Sequence, residues 1–215
     1  REDNERLTRT GPGSVMGAVM RRYWIPALLS CELPEPDCAP VRIKLLSEEL
    51  VAIRTTDGTV VLFDEKCPHR GASLYFGRNE ECGIRCAYHG LEFNGAGKCA
   101  HNPHASGRIP KNSDVRSYTV VEKHSLVWIW MGERSPDKAK IPDFSVFEQS
   151  DPALRMPRRC LKVGANFELM TYNIMDLTHT NTLHAGILGN EDSFGFEIEA
   201  REEGDTLFLF QIGRA

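Results

Sequence analysis

The sequence predicts an α+β chain: an antiparallel all-β domain, followed by the opening part of an α+β domain. Three observations lead there. The apolar period drops from 3.6 near the N-terminus to 2 between Val41 and about residue 131. Two loops inside that stretch each set a cysteine beside a histidine. A polar segment with two prolines, 132–143, then precedes the one long helical pattern in the chain.

Taken in order, residues 14–24 carry Val15, Val19 and Tyr23 at i, i+4 and i+8, with Met16, Met20 and Trp24 one position on. This spacing predicts a short amphipathic helix with Ser14 as N-cap, closed by Pro26. Val41–Leu45 alternates as a strand. Leu50–Arg54 and Thr59–Phe63 flank Asp57-Gly58, a strong hairpin signal. Asn94–Gly97 reads as a second turn, between Leu91–Phe93 and Lys98–Ala100. Val115–Glu122 and Leu126–Met131 form the last pair, and His124 in their turn is expected to be solvated. Beyond the linker, Phe167 to about Leu183 reads as a helix, 186–195 as a glycine-rich loop, and Phe196–Arg201 and Thr206–Ile212 as strands. One helix and two strands do not close a core, so this second part is expected to be the front of a larger domain. The divisions are therefore 1–25, 26–133 and 134–215.

A chain of 215 residues with 41% apolar and 26% charged residues has an ordinary globular balance. No apolar run approaches the ~20 residues of a membrane-spanning helix. A formal charge of −4, without a basic stripe, gives no case for nucleic acid. Seven cysteines without a dense framework suit a reducing compartment, so a cytoplasmic location is expected.

The chemistry concentrates in Cys67-Pro68-His69-Arg70-Gly71 and Cys86-Ala87-Tyr88-His89-Gly90, with sixteen residues between His69 and Cys86. Two Cys and two His make the ligand set of a Rieske [2Fe–2S] centre, one iron taking both thiolates and the other both imidazoles. Structural zinc accepts the same donors, but in knuckles of one ligand type at wider spacing. Here each knuckle mixes types. Cys82 and Cys99 lie nearby and are expected to be core or loop residues. His101 and His104, separated by Asn102-Pro103, are expected to make local hydrogen bonds. Gly71 and Gly90 would allow tight turns that bring N–H groups toward sulfur.

A second constellation is Asn173, Asp176, His179 and His184. The first three fall at i, i+3 and i+6, on one face of a continuous helix. His184 lies about 140° round from His179, so both can reach one ion only if the helix ends, kinks or bulges between 180 and 184. Two histidines with a carboxylate form the facial triad of non-haem Fe(II) oxygenases.

These two motifs, with Arg21–Pro26 and Trp128–Trp130, resemble the terminal oxygenases of Rieske non-haem iron oxygenases. The phthalate dioxygenase and dicamba or vanillate O-demethylase branch is the nearest in flavour. The resemblance implies a helix-grip catalytic domain with residues 1–25 attached to it. It implies Cys67, His69, Cys86 and His89 on the cluster, and His179 and His184 on a mononuclear Fe(II). In such enzymes the counterpart of Asp176 does not bind iron; it would hydrogen-bond His179 and His89 of the partner subunit, within a head-to-tail homotrimer. Asn173 belongs to the same motif. The third iron ligand is an aspartate far downstream; Asp192 and Asp205 are the aspartates that follow His184 here. The implied partners are an NAD(P)H-dependent reductase or a ferredoxin, O2 and a small aromatic substrate, with no nucleic acid or membrane. The activity would be ring hydroxylation or oxidative demethylation, and Arg158, Arg159 and Arg201 are arginines that could meet a substrate carboxylate. The alternative is a Rieske electron carrier without oxygenase activity, which leaves residues 173–184 unexplained.

Overall fold

The structure, a computed structural model, describes residues 2–104, 108–133, 136, 141–145, 148, 160–187, 197–204 and 206–212. It divides into two compact units, Arg1–Lys162 and Val163–Ala215. The fold is mixed α+β, with an all-β body in the first unit and a β-rich second unit. No helix among the described residues is long and apolar enough to cross a membrane.

Among the described residues the first unit holds ten strands in three antiparallel sheets. β1 (Trp24–Leu29), β10 (Leu126–Trp130) and β9 (Thr119–Lys123) form one, in that order. β2 (Val41–Leu45), β3 (Glu48–Arg54) and β4 (Val60–Asp64) form the second. β5 (Arg78–Glu80), β6 (Gly83–Arg85), β7 (Glu92–Asn94) and β8 (Cys99–His101) form the third.

The β3–β4 hairpin organises the unit because both of its faces are covered. Leu50, Val51, Ala52 and Ile53 are all fully buried. Successive side chains of a strand point to opposite faces, so Val51 and Ile53 join Phe63, Leu74, Ile84 and Phe93 in one core, while Leu50 and Ala52 join Leu62, Val127 and Ile129 in another. The first of these cores also contains Cys67 and Cys86.

Three two-residue turns explain what the sequence signals did not reveal. Leu46-Ser47, Glu81-Cys82 and His124-Ser125 each have positive φ at both residues, as type I′ hairpins require. Such turns are read from Asn-Gly or Asp-Gly, and none of these pairs contains glycine. The β5–β6 hairpin therefore carried no visible mark, whereas Asp57-Gly58 and Asn94–Gly97 did. Cys82 is exposed in its turn. His124 is not solvated: its side chain is 6% exposed, with Nε2 3.3 Å from Asp143 Oδ1 and Nδ1 3.2 Å from Glu148 Oε1.

The N-terminal helix is also shorter than expected, Val15–Met20. Ser14 caps it, Oγ accepting from the Gly17 N–H at 3.2 Å. Val15, Val19 and Tyr23 are exposed, and Met16 and Met20 are half-buried. Trp24 and Pro26 belong to β1, so Pro26 does not close the helix. β1 is an edge strand and its register shifts between Pro26 and Leu28, a place where a residue without N–H is tolerated. Arg21 ties this segment to the β2–β3 hairpin, with Nη2 2.5 Å from Glu48 Oε1 and 3.1 Å from the Leu46 carbonyl.

In the second unit the expected continuous helix breaks. Phe167–Met175 is helical, capped by Asn166, whose Oδ1 accepts from the Leu169 N–H. Asp176 has extended backbone, and a second helix spans Thr180–Leu183. One break falls at Asp176, earlier than the 180–184 window, and the second helix ends inside that window, with His184 as its C-cap. β11 (Glu197–Glu203) and β12 (Thr206–Ile212) pair as an antiparallel hairpin. The glycine-rich stretch 186–195 lies mostly outside the described residues, as does half of the expected linker 132–143.

Candidate functional site: paired loop tips and a histidine pair

Two loop tips with the same backbone design meet in the first unit. In the first, the Cys67 N–H donates to the Ala72 carbonyl at 2.8 Å and the Gly71 N–H to the Cys67 carbonyl at 2.9 Å. In the second, the Cys86 N–H donates to the Leu91 carbonyl at 2.8 Å and the Gly90 N–H to the Cys86 carbonyl at 2.9 Å. Each turn closes through a left-handed glycine, Gly71 at φ +70° and Gly90 at φ +71°, a conformation glycine adopts without steric cost.

The bases of both tips are fixed by ion pairs. The nearly buried Glu65 accepts from Ser73 Oγ and, at 2.9 Å, from Arg42 Nε. The Arg42 guanidinium lies 4.4 Å over the Tyr75 ring. Arg85, leading into the second tip, bridges Glu80 and Glu92.

Cys67 and Cys86 are 3% and 2% exposed and sit in the same apolar core. Burial, with Cys86 alongside, pushes the Cys67 thiol up to about 11, although the His69 and Arg70 N–H groups point at its sulfur and pull the other way. Two thiolates in this apolar pocket would be prohibitive without positive metal beside them. At the mouth, the His69 and His89 rings stand edge to face, 4.6 Å apart. Desolvation, then the nearby charges of His69, Arg70 and His104, holds His89 below the usual imidazole range, which leaves one of its ring nitrogens unprotonated and able to act as a ligand.

Sulfur donors thus gather on the inside and nitrogen donors on the outside, the partition a Rieske cluster needs between its two irons. All seven cysteines are free. Cys99 is buried, and its thiol donates to the His101 carbonyl at 3.7 Å. His104 has a contact its sequence position did not indicate: Nε2 lies 2.8 Å from the His89 carbonyl.

In the second unit, His179 and His184 flank the four-residue helix and their rings lie 5.2 Å apart. His179 Nδ1 is 2.5 Å from the Asp176 backbone carbonyl. A carbonyl only accepts, so Nδ1 carries the proton and Nε2 is left as the donor toward a metal. The Asp176 carboxylate accepts from the Thr178 N–H at 2.9 Å and from Thr178 Oγ1 at 2.5 Å. Those bonds hold it below the usual carboxylate range, and it stays charged. Its Oδ2 is 3.9 Å from His179 Nδ1.

The idea that Asn173, Asp176 and His179 line one helical face is corrected. Asn173 is helical, Asp176 is the C-cap, and His179 starts the next turn, because the side chain of Asp176 turns the chain onto Thr178. Asp192, Asp205, Arg158 and Arg159 lie outside the described residues. Arg201 pairs with Glu203 at 2.6 Å and reaches over Phe208 and Phe210.

Residues 23–122 match the Rieske [2Fe-2S] domain, and residues 163–211 match the vanillate O-demethylase oxygenase C-terminal domain. The chain belongs to the Rieske non-haem iron oxygenase family. It is 41% identical to the 3-chlorobenzoate-3,4-dioxygenase oxygenase subunit of Comamonas testosteroni, across 86% of this chain and 42% of that protein. It is 40% identical to the dicamba O-demethylase oxygenase component of Stenotrophomonas maltophilia, across 90% of this chain and 56% of that one. The crystal structure of dicamba monooxygenase bound to dicamba superposes with a TM-score of 0.77 at 35% identity, covering 87% of this chain and 55% of that one. The chain therefore spans about half the length of these relatives. The cofactors that accompany this pair of domains are a Rieske [2Fe–2S] cluster and a mononuclear non-haem Fe(II).

Proposed function

We propose that the chain is the terminal oxygenase component of a multicomponent system, hydroxylating or oxidatively demethylating a small aromatic, carboxylated substrate. The observation that carries this is the coexistence of two donor sets: the Cys67/Cys86 and His69/His89 pairs in one unit, and the His179/His184 pair in the other. An electron carrier needs only the first.

In this reading Cys67, Cys86, His69 and His89 hold the cluster, and His179 and His184 hold the mononuclear iron, with a third ligand from outside the described residues. Bound there, the cluster supplies one-electron transfer and the iron supplies O2 activation. Burial keeps water off the two thiolates, and the His69 and Arg70 N–H groups stabilise sulfur charge. The Asp176 carbonyl fixes the tautomer and ring of His179. Asp176, charged and aligned by Thr178, is the bridging carboxylate, meeting His179 in its own subunit and His89 of the partner subunit. That arrangement makes the enzyme a head-to-tail homotrimer. Asn173, at the end of its helix, belongs to the same passage.

The electrons come from an NAD(P)H-dependent reductase or ferredoxin. Residues 26–133 form the Rieske domain, and 134–215, joined by 1–25, the helix-grip catalytic domain. The free cysteines fit a cytoplasmic protein. The aromatic carboxylate is suggested by relatives named for 3-chlorobenzoate and phthalate. The test is ¹⁸O2 incorporation, with reductase and NADH, into a panel of benzoates, phthalates and their methyl ethers. Labelled ring-hydroxylated product, or demethylated phenol with formaldehyde released in step with O2 consumed, is expected, and NADH-dependent cluster reduction with neither outcome would overturn the assignment.

A further inference from the structure

The two tips share one backbone design but not one environment. A Cβ placed on Gly71 would meet nothing within 4 Å, whereas on Gly90 it would stand 3.1 Å from Pro103 Cγ. The covering segment is Asn102-Pro103-His104, which follows β8. Asn102 builds it: Oδ1 accepts from the His104 N–H at 3.0 Å, and Nδ2 donates to the Arg108 carbonyl at 2.8 Å. From this shelf His104 reaches back, Nε2 2.8 Å from the His89 carbonyl, with its ring 6.0 Å from the His89 ring and nearly perpendicular to it. Since the carbonyl only accepts, Nε2 is the donor.

We infer that His104 is a positioning residue for the second cluster tip, pinning the backbone of His89, with no matching brace on His69 among the described residues. The inference rests on the proposed assignment of His89 as a cluster ligand. Outer partners of a ligand set its orientation and its electronic environment. Here the N–H dipole presents its positive end to the carbonyl of the ligand residue. That offsets negative potential beside the cluster and favours its reduced form. The brace also restricts the imidazole that faces the electron's exit, so less of the loop must rearrange when the charge changes.

The test compares the full chain carrying His104→Ala with His104→Gln, whose amide can donate from nearly the position of Nε2. Iron and sulfide counts and visible absorbance first establish that the wild type holds the cluster; failure there sinks the assignment, not the brace. Given a cluster, the readouts are midpoint potential and the EPR linewidth of the reduced state. His104→Ala is expected to lower the potential and broaden the spectrum, or to lose the cluster, while His104→Gln keeps both near wild type. Two variants that both match wild type, or that both depart from it equally, would overturn the role of the donor.

Discussion

Asp176 carries a different burden from the histidines around it. Its carboxylate touches Thr178 and approaches His179, so replacing it should disturb transfer rather than occupancy. In the proposed assembly, Asp176→Asn keeps both metals but slows reduction of the mononuclear iron by orders of magnitude, measured in single-turnover mixing; unchanged turnover would remove the bridging role. His184→Ala should lose the mononuclear iron and keep the cluster colour, and loss of both centres would argue against separate sites. The glycines make a sharper pair. Alanine in the left-handed region costs about 1–2 kcal/mol, a cost shared by Gly71→Ala and Gly90→Ala. Gly90→Ala also drives its Cβ against Pro103, so thermal unfolding should show it as the more damaging of the two. At this scale the meeting of Cys67, His69, Cys86 and His89 was readable because Cys-x-His in one loop is answered by Cys-x2-His in another. His104 was not, since its partner lies fifteen residues away and no periodicity links them.

Among the elements, the β3–β4 hairpin couples the site to the fold. Ile53 and Leu50 are both fully buried, but on opposite faces. Truncating either to alanine should cost about 2–5 kcal/mol. Ile53→Ala should in addition speed cluster loss, because its core holds Cys67 and Cys86; equal cluster retention in both variants would deny that coupling. The surface elements respond to acid. Glu122 is held below its ordinary range by Arg54, and Asp114 by Lys98. Their folded pKa values lie below the unfolded ones. Their contribution is therefore present above the ordinary carboxylate range, near 4, and is lost as pH falls through the depressed values. The melting temperature of wild type should drop between pH 5 and 3, and less steeply in Arg54→Met. Strands with alternation and a glycine turn were readable in advance. The β5–β6 hairpin was not, since Glu81-Cys82 takes positive φ without glycine, and the helix through 176 failed because an Asx turn at Asp176 outweighed the apolar spacing.

At the scale of the whole molecule, the proposed function needs one chain to hold two kinds of iron for one electron path. The α+β class and the family were readable because the ligand motif is chemically narrow. The second donor set was less so: the spacing predicted a continuous helical face, whereas the chain breaks at Asp176 and brings the His179 and His184 rings to 5.2 Å. The most direct measurement is iron and acid-labile sulfide per chain, on protein purified without oxygen from its full gene. Three irons to two sulfides is the predicted result. Two irons to two sulfides, unchanged after addition of Fe(II), would contradict the account and leave an electron carrier.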